Sequence, residues 1–239
     1  MYQESAEIYD AIYSWKDYRK EAELIHRLIR RHKRSDGISL LDVACGTGSH
    51  IAFLKRYYEV EGLDINPRML REARRKNPGV QFLRGDMRTF DLARQFDVVT
   101  CLFGSICFMP SLRAMREATR NMARHVRPGG LLIIEPFITP EAVRKKSVHA
   151  VLRERKGIKV ARMHVSVVRG RVLEVPSHFL VGTPHGVRHF VEKVRYSLFH
   201  TEEHFRAFKA AGLRVRHYAK GPMGRGVCVG MKPRQERQK

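Results

Sequence analysis

Apolar segments alternate with amphipathic segments over the first 135 residues of the chain. Short apolar runs, such as 131–134, predict buried strands, whereas apolar residues spaced by three and four positions, as in 24–29, predict helices. Residues 1–35 are therefore expected to be helical. The units that follow are predicted to be strands near 38–43, 58–64, 80–84, 96–102 and 130–135, separated by helices near 48–56, 67–76 and 111–126.

The order of the elements changes after Pro136. Before it, strands alternating with helices indicate an α/β fold with a doubly wound, mostly parallel sheet, whose ligands bind at the carboxyl ends of the strands. Beyond it, short apolar segments follow one another without a helix between them, which predicts an antiparallel β insertion. Its strands are expected at 160–168, 171–175, 179–182 and 187–199, followed by a helix at 201–211 and a strand at 227–230.

This pattern divides the chain into four predicted regions. A polar tail with no apolar residues cannot bury enough surface to fold, so we expect it to be disordered. The regions are N-terminal helices with an α/β core at 1–136, the antiparallel β insertion at 137–199, a return to the core at 200–233 and the tail at 234–239.

A glycine turn follows the first predicted strand. Gly46 and Gly48 lack a Cβ atom, so they tolerate positive φ angles and let a ligand approach the backbone. The helix expected to begin near Ser49 directs its N-terminal amide dipoles toward such a ligand. The whole segment reads Leu40-Leu41-Asp42-Val43-Ala44-Cys45-Gly46-Thr47-Gly48.

Two acidic residues lie at corresponding positions in the next two units. Asp64 ends the second predicted strand, where a carboxylate can accept hydrogen bonds from ribose hydroxyls. Asp86 follows the third strand, and its side chain and the Met87 amide can read the edge of an adenine ring. A strand, turn and helix without a ligand would explain any one of these motifs alone. Together, the three motifs predict an adenosine pocket.

Two classes of adenosine cofactor are compatible with such a pocket. The nicotinamide dinucleotide fingerprint is G-x-G-x-x-G, and this chain has Ile51 where the third glycine belongs. From Asp42 to Gly48 the chain fits the form D-x-x-x-G-x-G and resembles the class I S-adenosylmethionine-dependent methyltransferases. In that family the acid helps to hold the methionine end of the cofactor. The resemblance implies a Rossmann-like fold and S-adenosylmethionine as the cofactor.

The composition favours a cytoplasmic enzyme. With 239 residues, 43% of them hydrophobic, the chain can build a sizeable core, and no apolar run reaches the ~18 residues of a membrane span. The amino terminus, Met1-Tyr2-Gln3-Glu4-Ser5, lacks the pattern of a secretory signal. The four cysteines have neither CxxC nor zinc spacing, so we expect reduced thiols and no metal.

The net charge of +22 is unevenly distributed. Residues 1–139 carry 23 Lys and Arg against 17 Asp and Glu, whereas residues 140–239 carry 23 against 7. This excess of cations can attract phosphate, either in an RNA backbone or in a nucleotide-linked small molecule. A basic composition spread over solvated faces is the alternative interpretation.

Further motifs extend over nearly the whole chain. They are Tyr9-Asp10-x-x-Tyr13, Lys16-Asp17-Tyr18, Gly85-Asp86-Met87-Arg88, Gly186-Val187-Arg188-His189-Phe190, Leu198-Phe199-His200 and Gly221-Pro222-x-Gly224-Arg225-Gly226. With these motifs and the glycine turn, the chain resembles the N,N-dimethyltransferases of nucleotide-linked 3-amino-dideoxy sugars, such as those of desosamine and mycaminose synthesis. Two features depart from that family: Phe137-Ile138-Thr139-Pro140 replaces a Trp-rich stretch, and the chain is unusually basic.

The resemblance implies an S-adenosylmethionine-dependent N-methyltransferase of a small-molecule amine, with a nucleotide-linked amino sugar or another small metabolite as acceptor. It also implies a β insertion that covers the acceptor, and a homodimer is compatible with it. Tyr13 should lie across the cofactor and act by orientation, without an obligatory base, unless it only anchors the N-terminal helix. The predicted cofactor-binding residues are Tyr9, Tyr13, Tyr18, Asp42, Ala44, Gly46, Gly48, Asp64, Ile65, Met69, Asp86, Met87, Arg88 and Leu102. The predicted acceptor-binding residues are Phe103, Ser105, His178, His200 and Arg225.

Two other functions are open from the sequence. The basic charge favours an RNA methyltransferase. Methyltransferases of exocyclic base amines, however, commonly carry an Asn/Asp-Pro-Pro-aromatic loop after the fourth strand, where this chain has Thr100-Cys101-Leu102-Phe103-Gly104-Ser105. A cofactor-binding regulator without catalysis is compatible with the motifs, although no residue favours it. A nucleic-acid partner is less favoured than a small molecule but stays open, and we expect no membrane partner.

Overall fold

The structure is a computed structural model that describes residues 4–155 and 157–234. The predicted disordered tail lies outside these residues except for Arg234, and so do the first three residues of the chain. No helix within the described residues is long and apolar enough to cross a membrane. The α-helices are α1 (Tyr9–Ile12), α2 (Tyr18–His32), α3 (Ile51–Leu54), α4 (Pro67–Lys76), α5 (Leu112–Arg124) and α6 (Thr201–Ala210).

The strands form two separate sheets. They are β1 (Ser39–Val43), β2 (Glu59–Asp64), β3 (Gln81–Arg84), β4 (Phe96–Cys101), β5 (Val126–Ile134), β6 (Lys146–Arg155), β7 (Ile158–Arg169), β8 (Val172–Thr183), β9 (Gly186–Ser197), β10 (Arg214–Tyr218) and β11 (Val227–Met231). The strands of the first sheet lie in the order β10-β11-β5-β4-β1-β2-β3, and those of the second in the order β6-β7-β8-β9.

The first sheet is mostly parallel, which confirms the prediction of a class I methyltransferase fold. Strands β1 to β5 run parallel to one another, whereas β11 runs antiparallel to both β5 and β10. The chain order reverses between β1 and β4, so the carboxyl ends of these strands and of β2 open onto one crevice. Helices α2, α3 and α4 contribute to one apolar cluster and α5 and α6 to the other. Because both faces are covered, every residue of β4 is buried.

The second sheet is antiparallel throughout, with four strands of 10 to 12 residues, whereas the predicted strands vary from 4 to 13 residues. The prediction of two strands at 171–175 and 179–182 is wrong, because β8 is continuous through Pro176. Proline lacks the amide donor, and the pairing of β8 with β7 is interrupted beside it. Strand β6 was missed because apolar residues on it are exposed, whereas a polar residue faces the protein. Val148 and Leu152 are both 69% exposed, while His149 between them lines the cavity between the two sheets.

Three other elements differ from the sequence prediction. The helix near 48–56 contains only α3, preceded by turns, and the helical region at 1–35 is broken between α1 and α2. Helix α2 begins after Asp17, whose side chain accepts a hydrogen bond from the Lys20 amide at 2.9 Å. Strand β10 was missed because its arginine-rich sequence forms an edge strand with little burial.

Helix α1 connects the two sheets. Its apolar side packs on the inner face of the second sheet, while its polar side faces the glycine turn after β1. The cluster on the second sheet contains Ile8, Ala11, Ile12, Val160, Phe179, Val181 and Phe190. A crevice therefore lies between the sheets, with α1 along one side.

Candidate functional site

A cavity of about 950 Å³ lies between the carboxyl ends of the first sheet and the inner face of the second. Most of the predicted site residues line it, from both sheets and from α1. They are Tyr9, Tyr13, Ala44, Gly46, Asp64, Ile65, Met69, Asp86, Met87, Arg88, Phe103, Ser105 and Arg225.

The two glycines of the turn have different roles, because Gly46 leaves space for a ligand and Gly48 allows close packing of a helix. Gly46 has a φ of +55°, and a side chain added there would meet no atom within 4 Å. Gly48 has a φ of +70°, but an added Cβ would lie 2.8 Å from Nδ2 of Asn77. Gly46 therefore faces open space, whereas Gly48 lets α4 pack closely and does not itself line the cavity.

Asp64 is fixed at the end of β2 by backbone amides. Its Oδ2 atom accepts a hydrogen bond from the amide of Gly46 at 2.8 Å, and its Oδ1 atom accepts one from the amide of Asn66 at 2.8 Å. Burial raises the pKa of this carboxyl group against the effect of these bonds. The amide of Ile65 bonds to the same carboxylate, which has about four acceptor sites and so keeps capacity for a ligand hydroxyl. Ile65 beside it is 58% exposed, which leaves an apolar surface for an aromatic ring.

Asp86 and Arg88 form a pair at the end of β3. The amide of Arg88 donates to Oδ1 of Asp86, and its Nη2 atom donates to Oδ2, both at 2.8 Å. The hydrogen bond from Arg88 is the largest cause that lowers the pKa of Asp86. Asp86 is therefore an anionic acceptor at the cavity wall, and Arg88 orients it.

Asp42, Tyr18 and Leu102 do not line this cavity. Asp42 is buried below it and accepts a hydrogen bond from Oγ1 of Thr100 at 2.7 Å. Burial raises its pKa to about 6. Tyr18 packs edge-on against His50, with ring centroids 5.0 Å apart. None of the three lines the cavity, so their contact with the cofactor stays a prediction.

Aromatic side chains line the part of the cavity beyond the glycine turn. The Tyr13 ring lies 4.6 Å from that of Tyr9 and meets the edge of Phe103 at 5.1 Å, between ring centroids. Phe137 stacks on Tyr196 at 4.7 Å. These rings create an apolar chamber next to Tyr13. Of the five, only Phe137 and Tyr196 lack a place among the predicted site residues.

Basic side chains cover the chamber from the second sheet and from the loop between β10 and β11. Arg162 approaches the ring of Tyr13, with 5.8 Å between the guanidinium carbon and the ring centroid. Arg225 lies over Phe137 at 4.2 Å. His164 stacks on His149, and its Nδ1 atom has no hydrogen-bond partner among the described residues. Burial, with the charges of Arg162 and His149, lowers the pKa of His164 to about 4, so its ring is neutral near pH 7.

Sequence reasoning predicted Arg225 but missed Arg162, His164 and His149, because β6 was not predicted and the polar inward positions of β7, predicted as a strand at 160–168, were not recognised. Arg162, His164 and Ser166 alternate with outward residues along β7, and the same alternation on β6 brings in His149. A period of two was therefore the available signal. Conversely, the predicted residues His178 and His200 lie outside the cavity. His178 stacks on His189 on the outer face, and His200 bonds to Glu141 at the start of α6.

One buried carboxylate holds two walls of the cavity. Glu135, at the end of β5, is 1% exposed and accepts hydrogen bonds from the amides of Phe103 at 2.8 Å and Met223 at 3.0 Å. Phe103 has a φ of +53°, an unfavourable conformation for a residue with a side chain. Glu135 thus stabilises a strained turn on one side and the loop that carries Arg225 on the other.

No group of three His, Cys, Asp or Glu side chains within the described residues could hold a metal ion. Cys101, Cys107 and Cys228 are buried, and Cys45 lies partly buried beside the glycine turn. Burial raises the pKa of the Cys107 thiol to about 11. These cysteines are therefore uncharged near pH 7.

Comparison with known proteins identifies relatives over nearly the full length. A protein-family model described as a methyltransferase domain matches residues 40–130. The chain is 40% identical over 230 residues to dTDP-3-amino-3,4,6-trideoxy-alpha-D-glucopyranose N,N-dimethyltransferase of Streptomyces venezuelae, covering 95% of this chain and 97% of the relative. It is 40% identical over 232 residues to dTDP-3-amino-3,6-dideoxy-alpha-D-glucopyranose N,N-dimethyltransferase of Streptomyces fradiae, covering 95% and 91%.

Solved structures show the same relationship. The chain matches DesVI of Streptomyces venezuelae with a TM-score of 0.90 and 38% identity, covering 96% of this chain and 98% of DesVI. It matches CalS10, an amino pentose methyltransferase from Micromonospora echinaspora solved with bound S-adenosylmethionine, with a TM-score of 0.85 and 38% identity. The match covers 94% of this chain and 96% of CalS10.

Proposed function

The chain belongs to the S-adenosylmethionine-dependent N,N-dimethyltransferases of amino sugars, within the class I methyltransferases, and we propose that its own acceptor is the amino group of a nucleotide-linked deoxy sugar. The residues present suit both reactants. Gly46, Asp64 and Ile65 form an adenosine subsite with an open backbone, a fixed carboxylate and an exposed apolar side chain. The chamber beyond them has room for the acceptor.

The distribution of charge along the cavity carries the proposal of a nucleotide-linked acceptor. Among the described lining residues, the carboxylates are Asp64 and Asp86, both at the cofactor end. The remaining wall holds basic side chains, to which an anionic diphosphate is complementary. These basic residues are Arg144, Lys146, Arg162 and Arg225.

The same wall favours a reactive amine. S-adenosylmethionine, when bound, supplies a methyl group on a positively charged sulfur, and the thioether that leaves needs no proton. The acceptor amine must be neutral to attack. An aromatic chamber disfavours an ammonium by desolvation, and Arg162 and Arg225 disfavour it by repulsion, so both lower the pKa of a bound amine. The chain can thus promote deprotonation without a dedicated base.

Tyr13 is proposed to orient the reactants. Its ring lies between Tyr9 and Phe103 on the cofactor side and near Arg162 on the acceptor side. Holding two reactants in line contributes roughly 7 to 11 kcal/mol in well-oriented intramolecular reactions. A ring packed on both sides can supply part of this without changing its own protonation.

The proposal is tested by supplying labelled S-adenosylmethionine with a thymidine diphosphate-linked 3-amino sugar, the free amino sugar or RNA. Two methyl groups should be transferred to the nucleotide-linked sugar, and little label should enter the other two. Arg162→Met should raise KM for the nucleotide-linked acceptor, whereas Arg195→Met, an exposed arginine of the same sheet, should not. Site-specific label in RNA would refute the proposed acceptor.

We also propose that the protein forms a homodimer through the outer face of the second sheet. The centre of that face is a patch of ten outward residues without Asp, Glu, Lys or Arg, and charged residues such as Glu174 and Arg195 border it. The patch consists of Val148, Ala150, Leu152, Ala161, Met163, Val165, His178, Leu180, His189 and Val191. A second copy offers the same patch. Leu180→Glu, at a half-exposed position of β8, should give a monomer in sedimentation, and an unchanged mass would contradict this interface. A cytoplasmic location remains a prediction.

A further inference from the structure

A hydrogen-bonded cluster joins α1 to the glycine turn and to the end of α4. The ammonium of Lys76, the last residue of α4, lies 2.7 Å from Oδ2 and 2.9 Å from Oδ1 of Asp10. It also donates to the hydroxyls of Thr47 and Ser49, both at 2.8 Å. All three donors of the ammonium are therefore used, and Asp10 is the acceptor on α1.

Asp10 receives bonds from three different parts of the fold. Its Oδ1 atom accepts a hydrogen bond from the hydroxyl of Thr47 at 2.7 Å, inside the glycine turn. Its backbone carbonyl accepts one from Nη1 of Arg155, on the edge strand β6, at 3.0 Å. The Asp10 and Lys76 side chains are only 17% and 19% exposed, so solvent screens their attraction less than on an open surface.

The position of Asp10 within α1 relates this cluster to the reaction. Tyr9 precedes it, and Tyr13 lies three residues beyond, and both line the cavity. The helix has only four residues, too few to be stable alone, so its contacts fix it. Its apolar side is fixed by the second sheet, whereas the Asp10 cluster is its polar connection to the glycine turn.

We propose that Asp10 is a positioning residue which, through Lys76, sets the distance between the tyrosines of α1 and the glycine turn and so controls how firmly the cofactor is enclosed. Asp10 touches neither reactant and acts through Tyr13 and Thr47. Breaking the cluster frees α1 to move away from the turn while the apolar cluster keeps it attached to the second sheet. This inference deepens the proposed function and rests on the role proposed there for Tyr13.

The test compares Lys76→Met, Asp10→Asn and the double variant with the wild type, and Arg75→Met serves as a matched control. Arg75 is the neighbour of Lys76 on α4, is 65% exposed and pairs with Glu72 of the same helix. In the protein without ligand, amide exchange at Ile12 and Tyr13 should be faster in both single variants. Dissociation of S-adenosylhomocysteine should be accelerated about tenfold, the size expected from loss of one charge-assisted hydrogen bond.

Three results decide the proposal. The double variant should be no worse than either single one, because both remove the same interaction, and Lys76→Arg should restore part of the slow dissociation. With an accepted substrate, KM for the cofactor should rise more than kcat falls. Unchanged exchange at α1, unchanged dissociation or additive losses would overturn the inference. The exchange and dissociation measurements need no acceptor, so they fail independently of the proposed substrate.

Discussion

At the scale of single residues, Asp64 is where recognition of the cofactor can be measured most directly. Backbone amides hold its carboxylate, and the side chain lines the cavity. Asp64→Ala should weaken binding of S-adenosylmethionine by roughly 1 to 3 kcal/mol, since buried ribose hydroxyls lose their acceptor. Calorimetry measures this, with Asp36→Ala, at a fully exposed site, as control. Unchanged affinity in a folded Asp64→Ala protein would contradict the assignment.

Substitutions of Tyr13 distinguish a role in orienting the reactants from a role in proton transfer. Tyr13→Phe keeps the ring contacts with Tyr9 and Phe103 and should therefore retain most cofactor affinity and measurable turnover. Tyr13→Ala should lose considerably more, because the reacting geometry loosens. Steady-state rates with an accepted amine, together with melting temperatures, provide the comparison. A folded Tyr13→Phe protein that binds cofactor but is as inactive as Tyr13→Ala would show that the hydroxyl has a chemical role.

At the scale of elements, the sequence predicted those strands whose buried faces are apolar. Strand β4 has apolar residues on both faces, so its place in the central sheet was readable, and Gly46 marked the turn after β1. Strand β6 has the opposite pattern, with polar residues facing a cavity. The acceptor wall depends on that inward face, so it could not be derived without the tertiary structure. Gly48 was assigned to the ligand, although its missing side chain serves helix packing.

Glu135 connects two loops, so its substitution tests how far the cavity depends on them. Glu135→Gln keeps the shape but replaces one acceptor oxygen by a donor, which leaves the amide of Phe103 or of Met223 without its partner. The free energy of unfolding should fall by roughly 1 to 3 kcal/mol. KM for the acceptor should also rise, because Arg225 lies on one of these loops. Denaturant unfolding and steady-state kinetics measure both, and Glu117→Gln, on the exposed side of α5, is the control.

At the scale of the whole molecule, the charge of +22 has more than one origin. The second part of the chain supplies Arg144, Lys146, Arg162 and Arg225 to the cavity, but it also supplies exposed arginines such as Arg195, which pairs with Glu174. The excess of cations therefore indicated an anionic partner without showing where it binds. Composition gives only the net charge of the chain. Which arginines face the cavity depends on the alternation of side chains along the strands.

The stability of the whole fold at acid pH depends in part on His204. This residue is buried in α6, and neither ring nitrogen has a hydrogen-bond partner among the described residues. Burial lowers its pKa from the ordinary 6.5 to about 4. The unfolded chain thus binds this proton first, and folding loses about 3 kcal/mol as the pH falls from 6.5 to 4. Asp42 opposes the trend, since burial raises its pKa to about 6 and its protonation favours the folded state.

The contribution of His204 is therefore isolated by comparing variants rather than by the wild-type profile. His204→Phe keeps a ring beside Phe199 and removes both unpaired nitrogens. Its free energy of unfolding should exceed that of the wild type by a margin that grows as the pH falls through the window from 6.5 to 4. His185→Phe, in the exposed turn between β8 and β9, is the control for the substitution itself. A constant margin for His204→Phe in urea unfolding at pH 7.5 and pH 5 would show that this histidine is not held neutral by the fold.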